Sequence, residues 1–180
     1  TNNIFYFYQH WQPSFSIFER EGVVTEWLRE LPSIDLLTEK TEPFKYAEGS
    51  IVVIDDFMGQ LNEAISSLFT FLCHSNRVSV FLMTQNVFAK NPVFRTISLN
   101  SQYVFIFKNS RDSSQIMSYA KQFAPGNTEW VVDAFRECTR AAFSYLLFDH
   151  HQTQEEEIRV RSHILQQQWP MRVWGPSRRR

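Results

Sequence analysis

Three stretches of the chain are apolar at nearly every position: Ile51-Val52-Val53-Ile54, Val78-Ser79-Val80-Phe81-Leu82-Met83 and Tyr103-Val104-Phe105-Ile106-Phe107. Continuous rather than alternating apolarity marks strands covered on both faces, as in a parallel sheet flanked by helices. Between the first two, Leu61, Ile65, Leu68 and Leu72 recur at helical spacing beside Ala64, Phe69 and Phe71. Residues 60–74 are therefore expected to form a crossover helix, which makes strand, helix and strand a right-handed βαβ unit. An earlier strand-like run, Ile4-Phe5-Tyr6-Phe7-Tyr8, opens the chain. Beyond Phe107 the pattern predicts helices at about 112–123 and 128–141, separated by the turn Pro125-Gly126-Asn127. Two last strand-like runs, 143–148 and 158–165, flank a polar stretch and are expected to form a β-hairpin on the sheet edge. Residues 32–49 read as a long surface loop.

Composition adds a heavy interior. Aromatic residues make up 16% of the 180 positions, 17 of them Phe, against only 5 Gly, which favours a layered core with few tight turns. The formal net charge of −1 gives no bulk support for wrapping nucleic acid, so any contact with DNA has to be local. The basic end, Arg178-Arg179-Arg180 with Arg172, is a candidate for such a contact, although a short terminal basic run is more commonly a solvated end. The Glu155-Glu156-Glu157 run reads as a solvated turn. Cys73 and Cys138 lack ligand spacing, and Cys73-His74 and His150-His151 are adjacent pairs whose side chains point apart, so neither pair is read as a zinc site. No apolar run approaches the ~20 residues that span a bilayer, and the expectation is an intracellular, soluble protein of nucleus or cytoplasm with no membrane partner.

The chemistry is concentrated where the first apolar run ends, in Ile54-Asp55-Asp56. A buried parallel strand delivers carboxylates to its C-terminal edge, the edge at which open α/β sheets bind ligands. One acid can hold Mg²⁺ and the next can orient or deprotonate an attacking water, which is the Walker B arrangement. Apolar strands also end in Asp at ordinary turns, so the pattern alone is weak. The second run ends in Thr84-Gln85-Asn86, which a parallel neighbour would place beside the same edge, where Gln85 can position water or sense a γ-phosphate. The plainer reading is that Gln85 and Asn86 merely end a strand.

From Ile51 to about Arg161 the chain resembles the FtsK–HerA group of P-loop ATPases, and within it the packaging ATPases of large DNA viruses and of virus-like Maverick/Polinton elements. The resemblance lies in the order and spacing of Val52-Val53-Ile54-Asp55-Asp56, Ser79-Val80-Phe81-Leu82-Met83-Thr84-Gln85-Asn86, Arg95-Thr96-Ile97-Ser98-Leu99-Asn100-Ser101 and Phe107-Lys108-Asn109-Ser110-Arg111-Asp112. Pro125-Gly126-Asn127, Tyr145-Leu146-Leu147-Phe148-Asp149 and Trp11-Gln12-Pro13 also look like segments of that family. The resemblance implies an α/β, RecA-like P-loop NTPase core with a mostly parallel sheet flanked by helices and a C-terminal β-hairpin. It implies ATP and Mg²⁺ as cofactors, a homo-oligomeric ring, and duplex DNA driven into a shell of capsid proteins. By position, Asp55 would hold Mg²⁺, Asp56 would act on the attacking water, Gln85 would be the sensor and Asn86 would lie against the nucleotide. Arg95, or else Arg111, would be the arginine finger, a role worth roughly 10³–10⁵ in rate where it operates.

The chain departs from that family in two places. The turn before the sensor strand reads His74-Ser75-Asn76-Arg77 rather than a His-His-Arg-Asn-like string. More consequentially, Gly22, Gly49, Gly59, Gly126 and Gly175 are the only glycines and no two are five apart, so the Gly-x-x-x-x-Gly-Lys-Ser/Thr phosphate loop is absent. Family order puts that strand, loop and helix just before Ile4, and the chain looks cut from something longer. The expected organisation is a partial P-loop ATPase domain over 1–165 and a basic tail over 166–180, part of a packaging or translocating motor that is not competent alone. The alternative is a non-catalytic assembly or DNA-contact protein descended from such an ATPase. An unrelated flavodoxin-like enzyme has no phosphate or nucleophile motif to support it. If the first elements are missing, a sheet edge is open and the chain should associate.

Overall fold

The computed structural model describes residues 3–86, 91–109, 114–165 and 170–176. The chain forms two compact units, residues 1–100 and 101–180. Among the described residues no helix is long and apolar enough to cross a membrane.

The first unit holds a four-stranded parallel sheet of β1 (Ile4–Tyr8), β2 (Glu26–Leu28), β3 (Ser50–Asp55) and β4 (Val78–Met83), in the order β2-β1-β3-β4. The register sets Tyr8 opposite Asp55, and Asp55 opposite Met83, so three strands finish together at one edge. The expected crossover helix runs from α3 (Glu63–Ser67) through a π-helical turn (Leu68–Leu72) into α4 (Cys73–Ser75). It starts where Asn62 caps it, the side-chain oxygen accepting from the Ile65 amide at 3.1 Å. Leu61, Ile65, Leu68 and Leu72 are all buried, while Phe71 is 65% exposed. These side chains meet Phe5, Phe7, Val52 and Ile54 from the sheet in a single core. Each fully buried side chain of this size contributes roughly 1.5–3 kcal/mol.

Two segments of this unit depart from the sequence expectation, and one further helix had no counterpart in it. Residues 32–49 are not simply loop: Ser33 caps α2 (Ile34–Thr41), its hydroxyl accepting from the Leu36 amide at 3.2 Å. The helix is anchored through buried Thr41, whose hydroxyl donates to the Leu37 carbonyl at 2.7 Å and accepts from Asn76 Nδ2 at 3.0 Å. Residues 92–100 form α5 (Pro92–Asn100), with Phe94 and Ile97 buried against the same core. Finally, β4 is covered on one face only, since Ser79, Phe81 and Met83 are exposed in alternation along the strand.

The second unit holds β5 (Tyr103–Phe107), α6 (Ser114–Phe123), α7 (Glu129–Cys138), β6 (Tyr145–Asp149), β7 (Val160–Ser162) and β8 (Arg172–Trp174). The expected helices and turn are present, with Gly126 at φ +81° in the turn between the helices, and the expected hairpin forms from β6 and β7, but as the inner strands of a second, antiparallel sheet rather than on the edge of the parallel one. The placement of the third apolar run is corrected: β5 does not join the parallel sheet but pairs antiparallel with β6 in a separate sheet, β5-β6-β7-β8. Its exposure alternates accordingly, with Tyr103, Phe105 and Phe107 open and Ile106 buried. The strand buried throughout is instead β6. Arg172 to Trp174, within the stretch expected to be tail, add the fourth strand, while Arg178, Arg179 and Arg180 lie outside the described residues.

Candidate active site

The carboxylates at the end of β3 occupy different environments. Asp55 is the last residue of the strand and is 9% exposed. Burial raises its carboxyl above the usual range, a hydrogen bond from Tyr6 opposes that shift, and the neighbouring Asp56 charge adds to it. Tyr6 Oη donates to Asp55 Oδ2 at 3.2 Å and Gln12 Nε2 donates to the same oxygen at 3.3 Å. Burial, the Asp55 charge and that hydrogen bond push the Tyr6 hydroxyl well above its ordinary value, which keeps it a donor. Its ring is fixed between Phe15 and Trp27, at centroid distances of 5.0 and 4.9 Å.

Asp56 leaves the strand with φ 65°, in the left-handed region that few residues other than Gly, Asn and Asp adopt. The reversal turns its side chain, 41% exposed, toward the end of β4. There Gln85 Nε2 donates to Asp56 Oδ1 at 3.3 Å, and His10 Nδ1 lies 3.9 Å from Oδ2. Local strain of this kind costs on the order of 1–3 kcal/mol and collects at functional sites.

Gln12, Asp55, Asp56, Met83, Thr84 and Gln85 together line an open cleft of about 230 Å³ at the C-terminal edge of the sheet. A larger cleft of about 420 Å³ lies against α2 and the crossover helix, but Ile34, Phe71 and Leu72 dominate its wall and Glu42 is its one ionisable group. The smaller cleft is where the chemistry converges.

Of the residues singled out from the sequence, the structure brings Asp55, Asp56 and Gln85 together. Asn86 does not line the cleft; its carbonyl accepts from Thr84 Oγ1 at 3.2 Å. Arg95 stands exposed on α5 and is not among the residues that line the cleft, and Arg111 lies outside the described residues. Tyr6, Gln12 and His10 were not anticipated as site residues. Their position depends on the parallel pairing of β1 with β3, which the pattern of either strand alone does not specify.

Two carboxylates and neutral oxygen donors suit a hard divalent cation, and Mg²⁺ is commonly held by one or two carboxylates plus water and substrate oxygens. Among the described residues no group of three or more His, Cys, Asp or Glu converges as a self-sufficient metal cage. The fit is thus to a cation completed by a ligand. The same residues do not fit a triphosphate by themselves, because the glycines of the chain form no phosphate-wrapping loop. Set against protein-family models, curated proteins and solved structures, the chain has no match.

Proposed function

We propose that this chain supplies the metal-and-water half of a nucleotide-hydrolysing site in an ATP-driven motor of the DNA-packaging or DNA-translocating kind. The observation that carries the reading is the pair Asp55-Asp56 at the end of an inner parallel strand, with the second acid turned at positive φ onto Gln85 of the adjacent strand end. An ordinary strand-terminating Asp needs neither a second acid nor a polar partner across the strand ends.

The chain's residues divide the work by environment. Asp55, buried at the strand end and oriented by Tyr6 and Gln12, holds Mg²⁺, which when bound would neutralise charge on phosphate oxygens. Asp56, open to solvent, accepts a hydrogen bond from a water and takes its proton as that water attacks. Gln85 fixes the Asp56 carboxylate and offers its amide to the same water. A phosphate cradle is not among these residues. A ring of subunits on duplex DNA, with Arg95 reaching a neighbour's site and capsid proteins as further partners, is the assembly to which the resemblance points.

The test is nucleotide binding and hydrolysis with Mg²⁺ and duplex DNA, on the 180-residue chain and on the full natural product of its gene. The expected result is hydrolysis by the full product, lost at least 100-fold in Asp56→Asn with nucleotide binding retained. A full product that contains a glycine loop yet binds no nucleotide would sink the reading. The second reading, a non-catalytic assembly or DNA-contact protein, is favoured by the absence of a phosphate loop from this sequence. It predicts partner binding that Asp56→Asn leaves unchanged.

A further inference from the structure

Two donors from the β1 segment reach one oxygen of Asp55. Tyr6 Oη lies 3.2 Å and Gln12 Nε2 lies 3.3 Å from Oδ2, and among the described residues no donor reaches Oδ1. A carboxylate free to rotate presents either oxygen, or both, to a cation. One held by two hydrogen bonds at a single oxygen has its plane and its remaining lone pairs fixed, so it arrives oriented for coordination through the other. The two donors are held by different contacts that share Phe15. Tyr6 is 7% exposed and wedged between Phe15 and Trp27, so its hydroxyl direction is set by packing. Gln12 follows β1, in a turn where its carbonyl accepts from the Phe15 amide at 3.0 Å, and the same Phe15 ring packs on Tyr6.

We propose that Tyr6 and Gln12 are positioning residues that hold Asp55 by Oδ2 so that Oδ1 alone is offered to a divalent cation in the cleft shared with Asp56 and Gln85. The inference rests on the reading of Asp55 as the metal-holding acid, and it adds what orients that acid. It also accounts for a tyrosine hydroxyl directed at a carboxylate from within an aromatic cluster.

The experiment is a Mn²⁺ titration of the 180-residue chain, following the free-ion electron paramagnetic resonance signal, on wild type, Asp55→Asn, Tyr6→Phe, Gln12→Leu and each of the last two combined with Asp55→Asn. Hydrogen-bond partners of metal-binding groups typically account for about 10–100-fold in affinity. The expected result is a loss of about tenfold in Tyr6→Phe and in Gln12→Leu, a larger loss in Asp55→Asn, and no further loss when either is added to Asp55→Asn. A merely structural role would weaken binding in both backgrounds alike, and that outcome, or unchanged affinity in both single variants, overturns the inference while leaving Asp55 as the metal-holding acid. If Asp55→Asn binds Mn²⁺ as wild type does, the metal reading falls and the inference with it. Gln12 is exposed, so Gln12→Leu is expected to fold and keeps the test decisive if Tyr6→Phe does not.

Discussion

Gln85 Nε2 and Asp56 Oδ1 meet at 3.3 Å across the ends of two adjacent parallel strands, and they do so because Asp56 adopts φ 65°. An L-residue in that conformation is strained, and Asp56 also adds its charge to a neighbouring carboxylate that burial already disfavours. A site residue kept at a cost to the fold should reveal itself when replaced. Asp56→Gly is expected to raise stability by about 0.5–1 kcal/mol, since glycine relieves the strain and the lost hydrogen bond is solvent-exposed. On the proposed function, the same variant should abolish nucleotide hydrolysis by the full natural product of the gene. Urea unfolding measures the first effect, and a midpoint below wild type would mean that Asp56 serves the fold.

Gly49 is the opposite case, a backbone position that tolerates no side chain. Its φ is +73°, and a Cβ placed there would stand 2.5 Å from the Arg77 carbonyl oxygen, a backbone atom that also accepts the Ser50 amide at 3.2 Å where β3 begins to pair with β4. Gly49→Ala should therefore cost about 2–4 kcal/mol, from left-handed strain and a displaced strand end together. Gly59→Ala, where an added Cβ meets nothing within 4 Å, is the control and should change stability by less than about 1 kcal/mol. Thermal unfolding of the two variants side by side decides it.

Elements whose burial is expressed as a run or a period were legible in the sequence. β1, β3, β4, the crossover helix and α7 all lie close to their expected places because apolar residues recur at the spacing each element imposes. α2 and α5 were not, because each is short and carries an apolar residue off its buried face, Ile34 and Leu99, which blurs the period. Their start signals were nevertheless present, Ser33 as a cap and Pro92 at the first helical position, with Asn91 Oδ1 accepting from the Val93 amide at 2.8 Å. The location of β5 was illegible for a different reason. Tyr103, Phe105 and Phe107 make a strand look buried on both faces, whereas large aromatic rings are often left half open on the outer face of an antiparallel sheet. In the site, Asp55, Asp56 and Gln85 follow from where strands end; Tyr6, Gln12 and His10 follow only from register, which one chain's pattern does not encode.

His150 gives the second unit a dependence on pH. Its ring packs 5.8 Å from Phe123 of α6, and Nε2 lies 2.6 Å from the Tyr119 hydroxyl, while Arg159 adds a like charge and Asp149 an opposing one. Burial and then Arg159 lower its pKa below the ordinary 6.5, so the folded state prefers the neutral ring. Stability is then fully present above about pH 6.5 and falls as the pH drops from there toward the lowered folded value. The ring is partly open to solvent, so the loss is small. Thermal midpoints of wild type and His150→Gln at pH 7.5 and 5.5 should differ by more at the higher pH; equal differences at both would remove His150 as the cause.

The two ends of the parallel sheet are protected to different degrees, and the difference predicts how the chain associates. At one end β2 is only three residues long and Glu26 is engaged by Lys40 at 2.9 Å, so the strand is short and charged, two features that discourage pairing with another chain. At the other end β4 runs for six residues as the terminal strand, with Phe81 52% and Met83 41% exposed beside it. A longer edge with apolar side chains invites a further strand, from this protein's other segments or from a second copy. The 180-residue chain should therefore show a sedimentation coefficient that rises with concentration. Phe81→Lys places a charge where pairing would bury it and should hold the protein monomeric at concentrations where wild type associates, with little effect on folding because the side chain is open. If Phe81→Lys sediments as wild type does, association runs through a different surface and the β4 edge is closed in solution by the protein itself.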